Sequence, residues 1–326
     1  MESIMTIYKT LPVLAVATLL SACGSDSSSD STQYAKVSFG VSDAPVDTMS
    51  EVVVAFDKLE LKHENGNTYI IDVDTDDDGN DYQQIDLLDY QGTDEALIIT
   101  EHTLPAGVYK QMIVHTKPGN MNWVRDDNLG DHDLKIPSNK LKLGGFEVIP
   151  EDDNTVQSFT IEFDLRQSLV LRGNSNNNNG YNLKPHGVKI IDNRLAASLW
   201  GHVEPELFYA GENCEPDTGN FVYLYPEHVL GDYQLTDNFD PLDEDFNDEL
   251  PVGEYVLPYA SAAVDENGDY AFGYIPAGNY VVAFTCNAVD DDPIQYDSEI
   301  HIANPEKQQF EITLDKMQEK EFNFFF

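Results

Sequence analysis

Apolar residues that alternate with polar ones are the feature of this sequence that most limits its fold. In residues 159–165, Phe, Ile, Phe and Leu occupy every second position, with Thr, Glu and Asp between them. A period of two places apolar side chains on one face of a half-buried strand. The alternation recurs at Val37 to Val41, Val52 to Phe56, Tyr270 to Tyr274 and Phe310 to Leu314. Since no window has the period of a long amphipathic helix, the sequence predicts an all-β protein.

Turn-forming residues separate these segments. A Pro-X-Gly-X-Tyr motif occurs three times and ends at Tyr109, Tyr255 and Tyr280. Proline presets its φ and glycine accepts a positive φ, so the motif predicts a turn that opens a strand. Short strands joined by such turns are typical of antiparallel β-sandwiches.

The positions of these motifs predict two domains. The first and third copies lie in different halves of the chain, which favours one β-sandwich in residues 34–192 and another in residues 196–326. The predicted boundary is near Asp192-Asn193-Arg194.

The chain is strongly acidic. Its 326 residues include 18 Lys and Arg against 59 Asp and Glu, which gives a formal charge of −41. Nucleic acid is therefore excluded as a partner, because phosphate binding needs a basic face. Apolar residues make up 41% of the chain, enough to bury real cores, so the charge predicts an acidic surface around folded domains.

The N-terminus has the pattern of a signal peptide. Lys9 precedes an apolar run from Leu11 to Leu20, which is shorter than the roughly 20 residues that span a bilayer. Leu20-Ser21-Ala22-Cys23 resembles the bacterial lipobox. The resemblance implies that residues 1–22 are removed and that Cys23 is lipidated; an ordinary secretory peptide cut near Ala22 is the alternative.

The residue after the lipobox bears on localisation. Gly24, rather than Asp, follows the cysteine, and the resemblance then implies an outer-membrane lipoprotein that faces the periplasm or the cell surface. Residues 23–33 include a Ser-rich stretch and are expected to form a flexible tether.

Two further cysteines remain after lipidation of Cys23. Cys214 and Cys286 form an even pair in an exported, oxidising compartment, which predicts a disulfide. Two separate buried thiols are the alternative.

Several segments of the second half resemble the carboxypeptidase regulatory-like, or transthyretin-like, family. They are Gly201 to Val203, Val222 to Leu224, Asp265 to Phe272 and Ile275 to Val282. The resemblance spans about residues 196–314 and implies a small β-sandwich without catalytic residues, used as an accessory or spacer module. An acidic insert, residues 231–248, departs from the family pattern.

The first half is similar to Domain of Unknown Function 4382, a family of bacterial envelope domains. The similarity rests on Val41 to Asp47, Val52 to Leu61, Ile85 to Leu88, Leu104 to Tyr109 and His186 to Ile190. It covers roughly residues 34–192. The family has no assigned activity, so the resemblance supports the architecture and adds nothing to the chemistry.

Catalytic motifs are absent from the sequence. It contains no G-x-S-x-G, H-E-x-x-H, P-loop or C-x-x-C pattern. Glu162 and Asp164 share one face of a strand and are candidates for a catalytic pair, but a solvent-facing acidic stripe is the favoured interpretation. The sequence predicts no catalytic residues.

An acidic loop is the strongest local signal. Aspartates at alternate positions before Gly79 match the first half of a calcium loop, but Ile85 takes the place of its bidentate Glu. The predicted calcium ligands are Asp74, Asp76, Asp78, Asp81 and Asp86. A bare solvated hairpin loop is the alternative, and calcium is the only predicted cofactor.

These observations favour a non-catalytic envelope lipoprotein that binds an unknown protein or glycan partner, or acts as a scaffold. An accessory subunit or enzyme for extracellular polysaccharide is one alternative, although only two tryptophans, Trp123 and Trp200, are available for a sugar-binding cleft. A calcium-dependent surface adhesin is the other.

Overall fold

A computed structural model describes residues 32–44, 49–127, 130–150, 155–174, 177–215, 218–226, 230–231, 233–289 and 291–326. Residues 33–326 form one compact unit. Cys23 and the predicted signal peptide lie outside the described residues. Within these ranges, no helix has the length and apolar character needed to cross a membrane.

Strands make up most of the ordered structure, and the all-β prediction is confirmed. The strands of residues 34–192, here called the first half, are β1 (Tyr34–Ala44), β2 (Met49–His63), β3 (Thr68–Asp72), β4 (Gln83–Asp86), β5 (Ala96–Pro105), β6 (Gly107–Thr116), β7 (Trp123–Asp126), β8 (Gly130–Lys135), β9 (Lys140–Lys142), β10 (Phe146–Val148), β11 (Val156–Asp164), β12 (Leu169–Asn174), β13 (Asn177–Leu183) and β14 (Val188–Asp192).

The strands of residues 196–326, here called the second half, are β15 (Ala196–His202), β16 (Phe221–Pro226), β17 (Gln234–Leu235), β18 (Tyr255–Val256), β19 (Ala260–Ala263), β20 (Asp269–Pro276), β21 (Gly278–Thr285), β22 (Gln309–Leu314) and β23 (Glu319–Glu321). The helical segments are α1 (Leu165–Ser168) and 3₁₀ turns at Leu87–Asp89, Pro137–Asn139, Asn193–Leu195 and Pro205–Tyr209.

Two sheets enclose the core of the first half. One has the order β14-β11-β1-β5; the other runs β10-β6-β2-β7-β8-β13-β12, with β3 and β4 on β2 and β9 on β6. The alternating residues face inward as predicted: Val37, Phe39 and Val41 are fully buried. Phe39 stacks on Phe159 across the β1–β11 pair, with ring centroids 5.5 Å apart.

The second half repeats this layered plan with fewer strands. Its sheets have the orders β20-β15-β23 and β19-β16-β21-β22, and they enclose a core that includes Leu199, Phe284 and Phe324. The outer face of the second sheet packs against Leu235 and Val256 of the β17–β18 pair. A segment that includes the acidic insert therefore covers this face.

The sheets are not purely antiparallel. β1 pairs with β11 in parallel, and so do β8 with β13, β15 with β23, and β17 with β18. In each of these pairs other chain segments intervene between the partners, and parallel pairing requires such a connection. The remaining pairings are antiparallel, as predicted.

The Pro-X-Gly-X-Tyr motif forms the same hairpin twice. The Tyr109 hydroxyl donates to the Pro105 carbonyl at 2.9 Å, between β5 and β6. The Tyr280 hydroxyl donates to the Pro276 carbonyl at 2.7 Å, between β20 and β21. Both tyrosines are buried, so each places its ring in the core near the start of its strand.

The two halves meet along polar surfaces. The Lys189 ammonium donates to the Tyr259 carbonyl at 2.9 Å, and Asp164 Oδ2 accepts from the Ser261 amide at 3.2 Å. Hydrophobic clusters nevertheless stay within each half, at residues 35–188 and 197–324. The division into two domains stays a prediction.

The backbones of the two halves lie close together at Gly273 of β20. A Cβ at this position would lie 1.6 Å from the carbonyl oxygen of Gly92 in the first half. Since that distance is far below van der Waals contact, a side chain at residue 273 would push the two backbones apart.

The predicted disulfide is present. Cys214 and Cys286 are bonded, with Cα atoms 5.2 Å apart, and the bridge joins the end of β21 to the loop before β16. The alternative of two separate thiols is wrong.

We expect Gly273→Ala to destabilise the protein by about 1–3 kcal/mol, because the halves must separate to admit the methyl group. Gly144→Ala is the matched control, since a Cβ there meets no atom within 4 Å. Urea denaturation of the full chain measures both. Equal unfolding midpoints for the two variants would contradict the close approach.

We expect reduction of the disulfide to lower the melting temperature of the full chain. The bridge spans 72 residues, and a loop of that length restricts the unfolded chain by about 4 kcal/mol in the chain-entropy model. The Cys214→Ala/Cys286→Ala variant should melt at the lower temperature, and its melting temperature should not change when reductant is added. A wild type that melts alike with and without reductant would exclude a stabilising role.

Candidate functional site

The predicted calcium ligands of the acidic loop already have hydrogen-bond partners. Asp74 Oδ2 accepts from the amide and hydroxyl of Thr100, at 2.8 and 2.7 Å. Asp76 Oδ1 accepts from the amides of Asp78 and Asn80, and its Oδ2 accepts from Asn80 Nδ2. The bond from the Asn80 side chain is the main reason that the pKa of Asp76 lies below its usual value.

The remaining predicted ligands serve other neighbours. Asp81 lies 3.2 Å from the Lys117 ammonium, and Asp86 Oδ1 accepts from the amides of Val52 and Leu88. Asp78 is exposed. In the described residues no three Asp, Glu, His or Cys side chains are placed to hold a metal ion. Calcium binding by this loop stays a prediction.

A second turn in the chain has the geometry of the acidic loop. Asp265 Oδ1 accepts from the amides of Asn267 and Asp269, as Asp76 does from residues 78 and 80. In both turns a glycine of positive φ follows, Gly79 or Gly268. An aspartate that caps its own turn explains this pattern without an ion.

Glu162 and Asp164 do not form a solvent-facing stripe, so that interpretation is wrong. The second half covers this face of the sheet, and Asp164 is 2% exposed. Asp164 also caps α1 by accepting from the Gln167 amide. Burial raises the pKa of Asp164 to about 6 and that of Glu162 to about 8, although Lys189, opposite Glu162 in β14, counteracts both shifts.

A cleft of about 890 Å³ opens where the two halves meet. One wall is β12, whose residues 169–173 all line it. The facing wall comes from the second half, chiefly from Asp291 to Gln295, with Asp245 and Asn247 of the acidic insert. The cleft therefore combines a strand of one half with loops of the other.

Arg166 and Asp291 form the inner end of the cleft. Arg166 Nη2 lies 3.0 Å from Asp291 Oδ2 and 3.0 Å from the Ala288 carbonyl. The guanidinium also covers the Phe221 ring, 3.3 Å from its centroid. The two ionic side chains are 6% and 0% exposed, so the ion pair is buried.

The Asp291 carboxylate accepts hydrogen bonds from several donors. Besides Arg166, it accepts from the Tyr223 hydroxyl and from the Asn238 side-chain and backbone NH groups. Burial raises the pKa of Asp291, and the Arg166 charge opposes that rise. A carboxylate held in this way positions the loop that carries it, and it has little capacity left for acid–base chemistry.

The acidic insert of the second half forms ion pairs with residues of the first half. Lys184 pairs with Asp243 and lies 3.6 Å from Asp245, and His186 Nδ1 is 3.4 Å from Asp240 Oδ2. The sequence alone predicted no role for this insert. The signal that could have revealed it is the pair of basic residues at positions 184 and 186, next to the predicted boundary of a very acidic chain.

A family model matches most of the first half. Residues 34–185 match "Domain of unknown function (DUF4382)", which supports the resemblance noted for the first half over those residues; His186 to Ile190 lie outside the match. The resemblance of the second half to the carboxypeptidase regulatory-like family stays a prediction. No curated protein matches the chain.

Two solved structures with partial likeness share 10% sequence identity with this chain. The Bacillus anthracis TIE protein is matched over 90% of this chain and 34% of its own, with a TM-score of 0.20. The chain thus spans about a third of that protein. BcpA, the major pilin subunit of Bacillus cereus, is matched over 89% of this chain and 99% of its own, with a TM-score of 0.19. At such scores the likeness carries no functional information.

Proposed function

We propose that this chain is a non-catalytic envelope lipoprotein, anchored in the outer membrane through Cys23, whose two β-sandwich domains act together as one binding or scaffold module. Its partner in this proposal is a protein or a glycan that enters the cleft. The accessory role in polysaccharide processing and the calcium-dependent adhesin role are kept only as outcomes of the tests below.

The observation that carries this proposal is the buried Arg166–Asp291 ion pair at the inner end of the cleft. Separation of the cleft walls would break this pair together with the hydrogen bond from Arg166 to the Ala288 carbonyl. Hydrogen bonds from Tyr223 and Asn238 hold the Asp291 carboxylate in place, so these contacts together hold the walls. A cleft of fixed shape loses little conformational entropy when a partner binds.

The titratable groups near the cleft favour binding over catalysis. Asp291 accepts bonds from three residues, and the nearby Asp164 accepts from Ser261 and caps α1. A general acid or base needs an open path to the substrate proton. Asp245, which is 70% exposed, is placed to attract a ligand by its charge.

We expect Cys23→Ala to move the protein from the membrane fraction to the soluble periplasm or medium, because the proposed lipid is its anchor. Labelling of cells with a palmitate analogue and fractionation measure this change. Cys214→Ala is the matched control and should stay labelled and membrane-bound. Membrane retention of the Cys23→Ala variant would contradict the lipoprotein proposal. Protease treatment of intact cells would report whether the protein is exposed on the cell surface.

We expect Asp76→Asn to lower the melting temperature equally in calcium and in chelator, because the Nδ2 group that replaces Oδ2 cannot accept the hydrogen bond from Asn80 Nδ2. Asp265→Asn, at the equivalent position of the second turn, should behave in the same way. Melting curves at fixed ionic strength, with magnesium as the third condition, measure the effect. A calcium-specific loss in Asp76→Asn alone would instead support the predicted calcium site and the adhesin role.

A further inference from the structure

One edge of the large first-half sheet ends in the cleft. β12 is the terminal strand of that sheet and, among the described residues, pairs only with β13. β12 borders the cleft, which residues 169–173 line together with Tyr181 and Asn182 of β13. An unpaired strand edge presents backbone donors and acceptors that can pair with another extended chain.

The register shows which backbone groups are free. The Lys184 amide donates to the Ser168 carbonyl at 2.8 Å, so residues 168 and 184 are a hydrogen-bonded pair. Hydrogen-bonded and non-bonded pairs alternate along antiparallel strands, so Val170 bonds to β13 whereas Leu171 points its NH and CO groups outward. Leu169 directs its carbonyl outward too, while its NH bonds to the Leu165 carbonyl.

The facing wall is acidic. Asp245, which lies 3.6 Å from the Lys184 ammonium, is 70% exposed, and Asp292 is also exposed. The arginines of the cleft are already paired, Arg166 with Asp291 and Arg172 with Asp133 at 2.9 Å. The charge that the cleft presents to a ligand is therefore negative.

The dimensions suit a short extended chain. A strand as long as β12 (Leu169–Asn174) spans roughly 20 Å at about 3.3 Å per residue. The cleft volume of about 890 Å³ lies within the range of pockets that bury most of their ligand.

We propose that the cleft binds an extended basic segment of a partner polypeptide, which adds as a strand to the outer edge of β12. Backbone bonds to Leu169 and Leu171 give affinity, and Lys or Arg side chains of the segment face Asp245 and Asp292. This inference rests on the proposed binding function and names its partner class. A second copy of this chain is disfavoured as the occupant, because both copies carry a charge of −41.

The test uses the purified full chain and a fluorescein-labelled eight-residue peptide of alternating Val and Lys, with binding followed by fluorescence anisotropy. We expect the peptide to bind and its affinity to fall with added salt. Two comparison peptides separate the contributions: one has Glu in place of Lys, and one has its central amides N-methylated so that it cannot pair as a strand. Both should bind at least about tenfold more weakly, since two or three hydrogen bonds or the charge pairs are lost.

Variants of the protein locate the site. Leu171→Pro removes the outward NH without touching the β12–β13 ladder and should weaken binding about fivefold to tenfold. Asp245→Asn/Asp292→Asn should weaken binding several-fold and reduce the salt dependence. Glu266 is an exposed acidic residue in the 265–269 turn, and Glu266→Gln is the control. This variant should leave the binding affinity and its salt dependence unchanged.

The outcomes are distinct. Equal affinity of the N-methylated peptide, or full binding by the folded Asp245→Asn/Asp292→Asn variant, overturns the strand-addition inference even if Leu171→Pro does not fold. Self-association that the Leu171→Pro variant abolishes would replace the basic partner with a second copy. Absence of peptide binding overturns this inference but not the proposed function. Membrane retention of the Cys23→Ala variant overturns the proposed function.

Discussion

Arg166 connects the two halves through contacts that a guanidinium needs once it leaves water. Its charge is balanced by Asp291, its Nη2 donates to the Ala288 carbonyl, and its flat face covers Phe221. Burial of a charge is tolerated only when pairing and hydrogen bonding are nearly complete. Because α1 carries Arg166 and leads directly into β12, this residue fixes one wall of the cleft against the other.

Three basic residues of this acidic chain lie where the halves meet. Lys184 holds Asp243 of the insert, Lys189 lies opposite Glu162, and Arg166 holds Asp291. Each brings a cation of the first half against acidic groups that would otherwise repel one another. Exposed acidic groups such as Asp78 and Asp245 face solvent, where salt screens their repulsion.

Local patterns allowed much of the fold to be predicted. The period of two placed Val37, Phe39 and Val41 correctly, and the Pro-X-Gly-X-Tyr motif identified two hairpins, because both signals depend on neighbours in the sequence. The even number of cysteines left once Cys23 is set aside was enough to pair Cys214 with Cys286.

Contacts between distant segments were not predictable in this way. The alternation places Glu162 on the outer face of its sheet, but it carries no information about the second half that covers that face. The period of two likewise does not show that β1 pairs with β11 in parallel. At the acidic loop, the same aspartate spacing fits an ion or a self-capped turn, and only the position of Asn80 distinguishes them.

The β1–β11 pairing has a mechanical consequence for the proposed lipoprotein. Under that proposal, tension from a tether would enter at Tyr34, the first residue of β1, and the proposed partner in the cleft would pull on α1, directly after the end of β11. The strands run in parallel, so the two forces slide β1 along β11 lengthwise. The nine paired positions from Lys36 to Ala44 then resist together, whereas pulling at a hairpin end would open such bonds one after another.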